Sequence, residues 1–139
     1  MKINNVVVIG SGTMGSGIAA QLCNANIPVT LLDLKTEISQ KAKERIEKSR
    51  PPLLIDKSKI DGINVGNIAD NFNLVAEADW IVEAVVERID IKHDIYEKIF
   101  KKRKKDSIVS SNTSSIPISV LSEKLSEEVK KDFCITHFF

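Results

Sequence analysis

Only two cysteines, two histidines and a net charge of +1 occur in these 139 residues, and each scarcity narrows what the chain does. Cys23 lies in a helical stretch and Cys134 in a late apolar run, so both read as small buried hydrophobes rather than a disulfide or a metal pair. Such usage fits a reducing compartment, and cytoplasm is the expected location. With 20 Lys and Arg against 19 Asp and Glu, no charge excess points to nucleic acid or an acidic membrane. Long hydrophobic runs are also lacking. The apolar N-terminal stretch breaks at Gly10, too early for a signal-peptide core or a membrane span. No repeat or low-complexity tract occurs, and 42% hydrophobic with 28% charged residues is the make-up of one soluble globular domain over residues 1–139.

What is present is concentrated between residues 6 and 33. Val6-Val-Val-Ile9 is too short for a helix and rich in β-branched residues, so it reads as a buried parallel strand. Gly10, Gly12 and Gly15 follow at GxGxxG spacing. The first glycine allows a tight turn, the second lets a pyrophosphate approach the backbone, and the third brings the next helix close to the strand. That helix, expected over about Thr13 to Asn26, points its free N–H groups and its positive dipole end at the phosphates, with Thr13 and Met14 beside them. Residues 28–32 predict a second strand. Asp33 then follows Gly15 at close to the ~20 residues expected of the acid that holds an adenine ribose. Strand, glycines, helix, strand and acid in this order indicate dinucleotide binding rather than a bare turn. The acid favours NAD over NADP, a preference that nearby Lys35 weakens slightly.

Beyond this unit, Ile38, Ala42 and Ile46 mark one face of a helix over residues 35–48, which Ser49-Arg-Pro-Pro ends. Residues 53–62 read as a polar linker, 63–67 as a short strand, and 68–78 as a turn with a short helix. Trp80-Ile-Val-Glu-Ala-Val-Val86 predicts a central strand and Ile89 to Phe100 a helix. The basic tail of that helix, residues 101–105, complements its dipole and stays solvated. Residues 107–110 and 133–136 add two more strands, and between them 118–131 form helical turns or one helix. The alternation predicts an α/β, Rossmann-type, doubly wound and mostly parallel sheet flanked by helices.

In such a sheet the residues after each strand emerge at one edge. Gly10, Asp33, Glu87, residues 111–115 and His137 therefore share a rim. An imidazole there suits proton transfer from a substrate hydroxyl, because its ordinary titration range is near neutral. His93, in a charged helix, reads as a solvated surface residue. Ser111-Asn-Thr-Ser-Ser115 serves a site, caps the following helix, or divides both tasks among its members. Glu87 reads equally as a helix cap or a cofactor contact, and Lys92 as a surface lysine or a cofactor contact.

Four stretches together resemble the N-terminal domain of the 3-hydroxyacyl-CoA dehydrogenases, including the large bacterial fatty-acid oxidation proteins. They are Val8-Ile-Gly-Ser-Gly-Thr-Met-Gly-Ser-Gly-Ile-Ala, Ala78-Asp-Trp-Ile-Val-Glu-Ala-Val-Val-Glu87, Val109-Ser-Ser-Asn-Thr-Ser-Ser115 and His137-Phe-Phe139. The resemblance implies that His137 is the catalytic base, that Ser114 orients the substrate oxygen beside the cofactor, and that Asn112 shapes the site. It also implies that Glu87 and Lys92 lie along NAD, and that the reaction is oxidation of L-3-hydroxyacyl-CoA to 3-ketoacyl-CoA in β-oxidation. In the family His-Phe-Phe is followed by Asn-Pro, a glutamate that pairs with the histidine, and a helical domain that completes the substrate site and dimerises. None of these is in this sequence, so the resemblance implies a homo-oligomer or a separate C-terminal partner domain, with a non-catalytic NAD-binding module or truncated remnant as the alternative. Another hydroxyacid dehydrogenase fits the third and fourth stretches less well. The stretch between Lys35 and Ile63, which contacts CoA in some relatives, carries the unusual Arg50-Pro-Pro. Phe138 and Phe139 are expected to be exposed and to favour self-association.

Overall fold

The structure is a computed structural model that describes residues 2–138. Six strands form one parallel sheet: β1 (Val6–Ile9), β2 (Val29–Asp33), β3 (Ile63–Asn67), β4 (Trp80–Glu83), β5 (Ile108–Ser111) and β6 (Phe133–Ile135). Their spatial order is β3-β2-β1-β4-β5-β6, with every pairing parallel. The chain winds outward from β1 through β3, returns to the other side of β1, and winds outward again. The reversal opens a crevice at the carboxyl ends of β1 and β4, where ligands of open α/β sheets bind.

Both faces of the sheet are covered, which explains the uninterrupted apolar run of β1. Val6 and Val8 join a core with α1 (Thr13–Asn24) and α2 (Thr36–Lys48), formed with Ile18, Leu22, Ala42 and Ile46. Val7 and Ile9 point the other way, to Ile95, Tyr96 and Ile99 of α4 (Ile89–Lys102). This is the two-residue alternation of a strand buried on both sides.

Several boundaries differ from expectation. Helix α1 stops at Asn24, and Asn26 adopts a left-handed conformation (φ 62°) that asparagine tolerates better than most residues. Strand β4 ends at Glu83 rather than Val86, because the Glu83 carboxylate itself takes the Val85 N–H at 2.9 Å and turns the chain. The linker contains a 3-10 segment, Lys57–Gly62, whose start Asp56 caps by accepting from Ser58 N, and it buries Leu54 in the core. The short helix after β3, α3 (Ile68–Asn71), continues into a 3-10 turn, Phe72–Glu77. Residues 118–131 form two separate turns, α5 (Ile118–Leu121) and α6 (Glu127–Lys130).

Phe138 does not stand exposed. Its ring stacks on Trp80 with centroids 6.3 Å apart, and it packs against the α1 side of the core. Phe139 lies outside the described residues. The basic tail of α4 is exposed at Lys101, Lys102, Lys104 and Lys105, as expected, while half-buried Arg103 donates to Ser107 O and Asp132 and Lys104 also pairs with Asp79. Both cysteines are free, Cys23 buried and Cys134 half-buried, and burial pushes each thiol above its ordinary range. Among the described residues no helix is long and apolar enough to cross a membrane.

Candidate active site

The glycines have different reasons to be glycine. Gly10 has φ +105°, and a Cβ there would lie 2.4 Å from the Ala84 carbonyl oxygen. A Cβ on Gly15 would lie 1.8 Å from the Gly10 oxygen, so a side chain would force α1 away from β1. At Gly12 a Cβ would meet nothing within 4 Å. Packing therefore explains Gly10 and Gly15, whereas at Gly12 the missing side chain leaves open space. That space adjoins the start of α1, which has neither a side-chain cap nor an acid in its first turn. Uncapped N–H groups and a positive dipole end beside open space suit an anion.

A cleft of about 640 Å³ runs from this loop to Asp33, lined also by Met14, Leu34, Ile68 and Ala84. Its lining is mostly apolar, as an adenine ring requires. Asp33 is held firmly: one carboxylate oxygen accepts Ser11 N at 2.9 Å and Ser11 Oγ at 2.5 Å, and the other accepts Leu34 N at 2.7 Å. Arg45 of α2 braces the same loop from outside, donating to Ser11 O at 3.0 Å. Neither Ser11 nor Arg45 was visible as a loop brace in the sequence, because no periodicity relates either to Asp33. The residues present fit a dinucleotide.

A second cavity, about 280 Å³, continues from the first and is lined by Glu87, Lys92, Asn112, Ser114 and His137. The sheet brings these five together although they span residues 87–137. The two cavities share Met14, Ala84 and Val85. His137 is exposed and follows β6, and Ser114 is exposed beside it. The segment bearing His137 is anchored on both sides: Thr136 N donates to Ser111 O at 2.9 Å, and Phe138 N donates to Asn112 Oδ1 at 2.8 Å.

Glu87 does not cap α4, whose N-cap residue is Arg88. Its carboxylate instead accepts Thr113 Oγ1 at 2.6 Å and Ser115 Oγ at 2.9 Å, and pairs with Lys92 at 3.1 Å. Burial alone would raise its pKa, but the donors Thr113, Lys92 and Ser115 outweigh it and hold Glu87 below the usual range. No member of residues 111–115 caps α5 through its side chain; Thr113 Oγ1 accepts Ile116 N at 3.1 Å and shapes the loop itself. Lys92 is no surface lysine, being 1% exposed and paired with Glu83 at 2.6 Å. His93 is half-buried rather than simply solvated, with Nε2 2.9 Å from Val120 O, joining α4 to α5.

Glu83, fully buried at the end of β4, is singled out by no motif in the sequence. A carboxylate inside the apolar run Trp80–Val86 was the signal available, since such a charge needs a partner.

The sequence model of the family described as "3-hydroxyacyl-CoA dehydrogenase, NAD binding domain" matches residues 5–139. A Deinococcus radiodurans protein named as a probable 3-hydroxyacyl-CoA dehydrogenase is 42% identical over 146 residues, covering 100% of this chain and 42% of that protein. A Rickettsia felis protein, provisionally named a fatty acid oxidation complex trifunctional enzyme, is 41% identical over 145 residues, covering 99% of this chain and 20% of that protein. The crystal structure of (S)-3-hydroxybutyryl-CoA dehydrogenase from Ralstonia eutropha superposes with a TM-score of 0.81 at 27% identity, covering 99% of this chain and 50% of that one. The chain thus spans between a fifth and a half of the proteins it matches.

Proposed function

The chain belongs to the 3-hydroxyacyl-CoA dehydrogenase family, in its NAD-binding domain, and from that premise we propose that it binds NAD and supplies the base that oxidises an L-3-hydroxyacyl-CoA to the 3-ketoacyl-CoA, a step of fatty-acid β-oxidation. The observation that carries the reading is the wall of Met14, Ala84 and Val85 common to the glycine-loop cleft and the His137 cavity. A dinucleotide lying along both puts its adenosine half by Asp33 and its nicotinamide half by His137.

Asp33 accepts from the ribose hydroxyls. Gly12 lets the pyrophosphate approach the backbone of a loop whose turn and packing Gly10 and Gly15 allow, and Thr13 and Met14 flank it at the start of α1. Glu87, Lys92 and Ser114 border the nicotinamide half. When bound, NAD supplies the hydride acceptor. His137 takes the hydroxyl proton as the carbonyl forms, Ser114 hydrogen-bonds the same substrate oxygen, and Asn112 holds the His137 segment in register. Residues 1–139 act as the nucleotide-binding domain of a cytoplasmic enzyme, and a helical C-terminal domain or a second copy closes the exposed side of His137.

The test pairs NADH fluorescence titration with reduction of a 3-ketoacyl-CoA. The reading expects NADH binding and slow turnover that His137→Ala abolishes without loss of binding. Binding with no turnover favours a non-catalytic NAD-binding module, and no binding removes both readings.

A further inference from the structure

Four donors converge on one carboxylate that the reaction above does not use. Glu83, fully buried, accepts Val85 N at 2.9 Å and Lys92 Nζ at 2.6 Å on one oxygen, and Tyr96 OH at 2.5 Å and Ser111 Oγ at 2.7 Å on the other. Its backbone oxygen accepts Asn112 N at 2.9 Å. Burying an ion pair is often no more stabilising than packing apolar side chains in the same space. Stability alone is therefore a weak reason for a carboxylate in a strand otherwise made of Trp80, Ile81 and Val82.

What the carboxylate does is visible on Lys92. The ammonium is 1% exposed, bonded to Glu83 and to Val85 O at 3.3 Å, and its outward side meets Glu87 at 3.1 Å beside the His137 cavity. The inner carboxylate fixes the ammonium from below, and the outer one, shared with Thr113 and Ser115, meets it at the rim. Tyr96 stays a donor throughout, because burial and the Glu83 charge push its phenol far above the ordinary range.

The geometry points to Glu83 as a positioning residue: it holds the Lys92 ammonium at the wall of the His137 cavity and, through Ser111 and Asn112, ties it to the strand end against which His137 is anchored. The inference rests on the cofactor reading above and deepens it. Glu83 acts through Lys92, so the arrangement of charge along the cofactor's nicotinamide half depends on a residue that lines neither cavity.

Glu83→Gln keeps the shape and removes the charge. In ¹⁵N-lysine-labelled parent protein, the Lys92 ammonium gives a solvent-protected side-chain NMR signal, assigned by its loss in Lys92→Met. In folded Glu83→Gln that signal disappears and NADH binds at least about tenfold more weakly. A core truncation on the same helix, Ile99→Ala, lowers Tm yet keeps NADH affinity within about twofold of the parent. Unchanged NADH affinity in Glu83→Gln, or equal losses in both variants, overturns the inference and leaves the cofactor reading standing. No NADH binding by the parent overturns the cofactor reading and the cofactor part of the inference with it, and the ammonium signal then decides whether Glu83 positions Lys92: lost in Glu83→Gln, that placement stands; retained, it falls. Should Glu83→Gln not fold, Ser111→Ala takes its place: a broadened Lys92 signal supports the inference, and an unchanged one overturns it.

Discussion

The carboxamide oxygen of Asn112 accepts the Phe138 amide at 2.8 Å, so the first residue after β5 grips the segment that carries His137. A neighbouring strand end thus sets where the imidazole stands. Asn112→Ala is expected to lower stability by about 1 kcal/mol, as one lost hydrogen bond does, and to reduce kcat more than it raises KM. Asn112→Asp keeps an acceptor and retains more kcat. Amide exchange at Phe138 is the check: it quickens in the alanine variant, and an unchanged rate contradicts the account.

The glycine loop separates packing from binding. Gly15→Ala puts a methyl group where the Gly10 carbonyl stands, 1.8 Å from its oxygen, and is expected to cost more than about 2 kcal/mol in stability. Gly12→Ala meets no atom within 4 Å, so its stability loss is at most about 1 kcal/mol, the cost of replacing a glycine N-cap. NADH binding falls at least about tenfold all the same, because the methyl group fills the phosphate space. Thermal melts and NADH titrations on the two variants read the contrast directly.

Asp79 joins the N-terminal segment to β4. The Lys104 ammonium and the N–H groups of Asn4 and Asn5 hold its carboxyl down at about 2. A carboxyl whose pKa is lower folded than unfolded stabilises above the unfolded value and loses that contribution as pH falls through the folded one. The parent is therefore expected to melt above Asp79→Asn at pH 6, with the gap closing between about pH 4 and about pH 2. Melting curves across that range test it, and a gap as wide at pH 2 as at pH 6 contradicts the assigned cause.

Asp33 serves two ends at once, the ribose and the loop. Replacing it with Asn removes the charge that opposes a 2′-phosphate, so NADPH affinity rises relative to NADH. The Ser11 hydroxyl and amide lose a charged acceptor at 2.5 and 2.9 Å, so stability falls by about 1–3 kcal/mol. A cofactor ratio that stays at the parent value counts against Asp33 as the discriminating residue.

How far the sequence was legible follows from which forces leave a local trace. Val6–Ile9, the glycine spacing and the apolar stripe Ile38, Ala42, Ile46 record burial on a fixed period, and the sheet they predicted is the one observed. The rim followed from topology alone, and it does bring Glu87, Asn112, Ser114 and His137 to one cavity. Specific polar partnerships leave no such trace. Glu83 and Lys92 lie nine residues apart on a strand and a helix, and Ser111 joins them from a third element, so no spacing announced their network. The exposure expected of Phe138 failed for a related reason: Trp80, which covers it, is distant in sequence and neighbouring only in the sheet.

The central claim is that one crevice holds the cofactor and His137 together, and the direct measurement is a paired assay on the parent and His137→Ala. With NADH fluorescence and 3-hydroxybutyryl-CoA oxidation read on the same samples, both proteins are expected to bind NADH equally. Only the parent turns over, and far more slowly than a full-length relative. Equal turnover in the two proteins, or NADH binding lost with the imidazole, contradicts the claim.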